Sequence, residues 1–86
     1  MEKINKYLEK FGLNKTVSAR EMLLGCELEK EHTHHWLIED DPEMEFEMSF
    51  LIASDHLKKE PAYYSKLITA GLVKDQNVLD LYNKIF

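Results

Sequence analysis

The chain's densest run of proton carriers and potential metal ligands is Glu27-Leu28-Glu29-Lys30-Glu31-His32-Thr33-His34-His35. Glu29 and His32 stand three apart, so on a helix both side chains reach one spot, and Glu31 with His34 repeats the spacing. Glu-x-x-His on a helix is how ferritin-like carboxylate proteins hold iron or manganese. Downstream lie Asp55 and His56. If the two helices pack antiparallel, Glu29 and His32 face His56, with Asp55 at the edge. A metal-binding module would then use Glu29, His32 and His56 for zinc, iron or manganese. The same groups form a metal-free alternative, a buried hydrogen-bonded network that locks two helices. A full di-metal bundle needs a second Glu-x-x-His and two further Glu residues, and no second set is evident. The leading reading is therefore a structural polar network with no cofactor, and His34 and His35 read as solvent-facing.

A second feature is the stretch Glu39-Asp40-Asp41-Pro42-Glu43-Met44-Glu45-Phe46-Glu47, which holds six carboxylates in nine residues. A solvated helix start explains it most simply. A sharper reading is a protein-docking surface made of Trp36, Glu39, Asp40, Asp41, Glu43, Glu45, Phe46 and Glu47. The interleaved Met44 and Phe46 suit a protein interface better than mimicry of a phosphate run, because aromatics and Met supply interface energy while rim charges steer.

The elements that must position these groups are helical, since three-four spacing recurs and strict alternation is almost absent. The first segment runs roughly from Ile4 to Phe11 and ends at Gly12. Ser18-Ala19-Arg20-Glu21 has capping-box spacing and opens a helix to about Glu31 or His32. Gly25 in its middle calls for a close neighbour, and Cys26 reads as core. Residues 34–38 form a connection. Asp41-Pro42 starts a third helix reaching about Lys59, with an inward stripe of Met44, Met48, Leu51, Ile52 and His56, flanked by Phe46, Phe50 and Leu57. A fourth runs from Pro61 to Ala70 and stops at Gly71. Asp75 caps a fifth carrying Val78, Leu79, Tyr82, Ile85 and Phe86. The expectation is an all-α fold, a compact single domain over residues 1–86 with four to five short helices.

Composition narrows the function classes. Eighty-six residues leave no room for two cores. A net charge of −5 argues against direct nucleic-acid binding. No apolar run spans a bilayer, the N-terminus lacks signal-peptide order, and the lone Cys26 suits a reducing setting, so a cytoplasmic location is expected. No Ser or Cys nucleophile has an adjacent His, and there is no Gly-rich phosphate loop, which leaves a small metal-dependent hydrolase as the weakest option. A homo-oligomer in which Trp36, Phe46 and Phe50 cover one another fits a chain this short.

Gly25, Glu29, Glu31 and His32, followed by Ile52, Ala53, His56 and Leu57 and then Pro61, Tyr63 and Tyr64, resemble a small uncharacterised family of bacterial and phage proteins. That family's pattern is Glu-x-Glu-His, then Ile-Ala-x-x-His-Leu, then Pro-x-Tyr-Tyr, and it matches in order over roughly half the chain. The resemblance implies a helical fold and a phage or bacterial origin, and it carries no established activity. Where the family has a Glu three residues after the His, this chain has Lys59. An ammonium there would neutralise Glu29 or Glu31, doing the work of a cation within the network of Glu29, Glu31, His32, Asp55, His56 and Lys59. The tyrosines of the third block can reach a buried carboxylate with their hydroxyls. Taken together, the expected function is that of a non-enzymatic, acidic interaction protein, such as a phage accessory or virion-associated factor.

Overall fold

Several helix ends among the described residues fall where the chain's own chemistry satisfies the terminal backbone groups. The computed structural model describes residues 1–34 and 41–86, with side chains through Lys30 and from Asp41 onward. Among these residues five helices follow in order: α1 (Glu2–Lys10), α2 (Ala19–His34), α3 (Pro42–Lys59), α4 (Tyr63–Thr69) and α5 (Gln76–Ile85). No described residue is in a strand. The all-α expectation holds.

Gly12 and Gly71 take φ values of 69° and 74°, the left-handed conformation that glycine adopts without strain. Past each, an amide returns to the helix: Leu13 N–H donates to Leu8 O at 2.7 Å, and Leu72 N–H to Leu67 O at 3.0 Å. These six-to-one bonds close α1 and α4 as Schellman motifs. Asp41 caps α3 by accepting from Met44 N–H at 3.1 Å, with Pro42 in the first turn. Asp75 caps α5, accepting from the amides of Asn77 and Val78.

The helix α2 is the central element, packing along α3 and touching α1, α4 and α5. Gly25 is where it comes closest to its neighbours. A Cβ added there would stand 2.4 Å from Tyr64 Cε2 and 2.8 Å from Ala53 Cβ, so the glycine makes room for both α3 and α4. Around this point the core gathers Met22, Leu24 and Cys26 of α2, Phe50, Ala53 and Leu57 of α3, and Tyr64 of α4. Ile4 and Leu8 close it from α1, and Val78 from α5.

Two sequence expectations are corrected here. The buried residues of α3 are Ser49, Phe50, Ala53, Ser54 and Leu57, whereas Met44 and Leu51 are 47% and 49% exposed. Much of the stripe expected to face inward thus faces out, with His56 half-buried at its border. Secondly, Phe46 and Phe50 are not left over for a dimer. Tyr7 meets Phe46 edge-on at 4.8 Å and Phe50 at 5.5 Å, and Phe50 is fully buried, so α1 already covers them. No helix among the described residues is long and apolar enough to cross a membrane.

Candidate functional site

Three side chains from three helices converge where α2, α3 and α4 meet. Glu29 of α2 is buried, Tyr64 of α4 is 1% exposed, and His56 of α3 reaches in from a partly exposed position. The Tyr64 hydroxyl donates to Glu29 Oε2 at 2.7 Å. His56 Nδ1 lies 3.1 Å from the same oxygen and 3.1 Å from the Tyr64 oxygen. An ionised carboxylate only accepts, and Tyr64 has one proton, already directed at Glu29. The hydrogen in the contacts of His56 Nδ1 with both oxygens is therefore on Nδ1, and Nε2 lies on the opposite edge of the ring. Tyr63 stacks on the imidazole with centroids 4.6 Å apart and planes tilted by 16°. Burial, reinforced by the hydrogen bond to Glu29, pushes the Tyr64 phenol well above its ordinary range.

A carboxylate that orients an imidazole in one tautomer is a general device for positioning a base or a metal ligand. Here the carboxylate and the phenol are sealed inside, and only the imidazole has an edge toward solvent. Among the described residues no group of three His, Cys, Asp or Glu side chains could hold a metal ion. Of the ligand set Glu29, His32 and His56, the first and last come together. The side chain of His32 lies outside the described residues, as does that of Glu31.

Asp55 and Lys59 do not join the cluster. They face each other one turn apart on the surface of α3 at 3.6 Å, with side chains 68% and 76% exposed. The correction has a simple cause. Asp55 is one residue before His56, a rotation of about 100° around the helix, so only one of the two can face α2. A local pair four residues apart then satisfies Lys59 without burial.

The acidic stretch is partly consumed within the chain. Glu43 pairs with Lys3, Glu47 accepts from the Tyr7 hydroxyl at 3.2 Å, and Lys3 Nζ lies 4.3 Å from the Phe46 ring centroid. Asp41 is occupied as the cap of α3. Phe46 thus packs against α1, Glu43 and Glu47 bond to α1 while keeping exposed sides, and Glu45 is half-exposed on α3. Trp36, Glu39 and Asp40 lie outside the described residues.

One buried carboxylate was missed at the level of sequence. Glu21, 4% exposed, accepts from the backbone amides of Tyr64 and Ser65, each at 3.1 Å. Ala62, at the N-cap of α4, has no side chain able to cap, and Glu21 supplies the missing acceptor from α2. The capping box is accordingly half-formed. Ser18 Oγ accepts from Glu21 N–H at 3.4 Å, but the Glu21 carboxylate points across the domain rather than back. Cys26, beside this region, is buried, and its thiol is pushed up to about 12 by desolvation, which makes it a core residue rather than a nucleophile.

Compared with protein-family models, with curated proteins and with solved structures, the chain matches none.

Proposed function

We propose that this chain is a non-enzymatic protein-interaction module that presents the outer face of α3 to a protein partner. The observation carrying this reading is the exposure of Met44 and Leu51, aligned with half-buried Met48 at three-four spacing on a helix whose opposite face is fully engaged in the core. Apolar side chains lined up on one exposed helix face, with charges around them, have the anatomy of an interface core and rim. Exposed Glu43 and Glu47 on one side and Lys58 and Lys59 at the far end supply that rim. The Glu29–His56–Tyr64 cluster then serves to hold α3 rigid against α2 and α4. The motif resemblance supports a bacterial or phage setting, and the lone Cys26 an intracellular one.

The test is capture from a bacterial lysate with the full chain as bait. Leu51→Lys and Met44→Lys should each abolish capture of a specific protein, while Leu72→Lys, at a 70% exposed site outside α3, should leave it intact. Capture that survives both α3 substitutions refutes the reading.

A metal-binding module is a second reading, favoured by the 3.1 Å approach of His56 to Glu29. Elemental analysis of untagged protein, before and after incubation with zinc, iron or manganese, decides it. Below about a tenth of an equivalent in both cases, the reading fails.

A further inference from the structure

We infer that the occupant of the outer face of α3 is a second copy of this chain, paired antiparallel through α3 in a two-fold dimer. The inference rests on the reading of that face as an interface and adds the identity of what covers it. Three observations on the same helix lead there.

The first is the exposed apolar line of Met44, Met48 and Leu51. Its Met48 and Leu51 flank the middle of an 18-residue helix, where a two-fold axis can make them meet their copies. An axis level with residues 49 and 50 places Met48 against the second copy's Leu51, and its Met48 against Leu51. The self-contact covers Leu51, which is 49% exposed, and half-buried Met48.

The second is the charge order along α3. Acids fall in its first turn, at Glu43 and Glu45, and Lys58 and Lys59 fall in its last. A parallel pairing would set acid against acid and lysine against lysine. In the register that joins Met48 to Leu51, the antiparallel pairing brings Glu43 to within about 3 Å, along the helix axis, of the second copy's Lys58, twice by symmetry. It also opposes the two helix dipoles, which favours the same orientation.

The third is availability. Both Glu43 and Lys58 are exposed. The Glu43 side chain is 60% exposed even with Lys3 on one oxygen, so a second ammonium can approach it. Lys58 has no ion-pair partner among the described residues. One surface helix per protomer with three aliphatic contacts makes a small interface, so the dimer should be weak and concentration-dependent, with a dissociation constant on the order of 10 µM.

Multi-angle light scattering of the full chain, from micromolar to about 1 mM, reads this directly. The mass should climb from 10.2 kDa toward twice that value. Leu51→Lys should keep the protein monomeric throughout. Glu43→Lys alone and Lys58→Glu alone should each weaken the dimer at least tenfold, because each sets like charges together at both ends. Mixed in equal amounts, the two variants should dimerise again, since every end then joins opposite charges. Circular dichroism keeps a folding failure from being mistaken for dissociation, and Lys58→Glu leaves the Lys3 pair untouched. A monomer at every concentration overturns the inference, as does a dimer indifferent to Leu51→Lys or a mixture that fails to recover. If the chain stays monomeric while Leu51→Lys still abolishes capture of another protein, the inference falls and the proposed function stands.

Discussion

The hydroxyl of Tyr64 and the carboxylate of Glu29 meet at 2.7 Å in the interior, 35 residues apart in the chain. This bond ties the fourth helix to the second, and His56 brings in the third by approaching the same oxygen. Tyr64→Phe keeps the ring's packing and removes the donor. It leaves the buried carboxylate one partner short, which should lower stability by about 1–3 kcal/mol. Urea unfolding followed by circular dichroism measures this. A loss under about 0.5 kcal/mol would mean that water reaches Glu29.

Gly25→Ala tests the close approach of helices. On an open helix surface the change would stabilise by about 1 kcal/mol. Here the new methyl meets Tyr64 and Ala53 closer than any Cβ contact tolerates. Overpacking of this kind costs about 1–3 kcal/mol, so the variant should melt lower than the parent. A rise in melting temperature would show that α4 yields without penalty.

Glu21→Ala removes the acceptor for two amides at the start of α4. The expected loss is about 1–3 kcal/mol, at the upper end of a capping effect because the site is buried. Amide hydrogen exchange should accelerate at Tyr64 and Ser65 more than in α5. Uniform acceleration through all five helices would instead indicate a purely global role.

Glu60 gives a pH signature. The Lys66 ammonium, bonded at 2.9 Å, and the Ala62 amide hold its carboxyl below the ordinary value of 4.5. A carboxyl with a lowered folded-state pKa contributes stability above its unfolded value, and that contribution fades as pH falls through the folded one. Glu60→Gln should therefore be less stable than the parent near pH 7, with the gap closing below about pH 4. A gap that persists at pH 2–3 would assign the difference to packing. Because the group is solvent-exposed, the effect should be small and weaken with added salt.

Helix ends were legible in the sequence because capping is local. Asp41-Pro42, Asp75, Gly12 and Gly71 each act within a few residues of the end they define, and each stands where the spacing placed it. The meeting of Glu29 with His56 was legible too, since both were polar groups on neighbouring apolar helices. The inward face of α3 was not. That helix carries apolar side chains on nearly every side, so its own periodicity selects no face. Phe50 and Ala53 are chosen by things outside it, the aromatic rings of α1 and the groove over Gly25. Glu21 was misassigned for a related reason. A local spacing rule offered Ser18, while the groups it serves lie 43 and 44 residues downstream.

The borrowed cap on α4 ties the birth of that segment to the rest of the molecule. Seven residues are too few to hold a helix in water, and its entry residue Ala62 offers nothing to the first amides. A peptide covering only residues 60–72 should accordingly give a coil spectrum in circular dichroism. In the intact chain the fourth helix draws its order from a distant part of the sequence, with residue 21 supplying the acceptor that its own entry lacks.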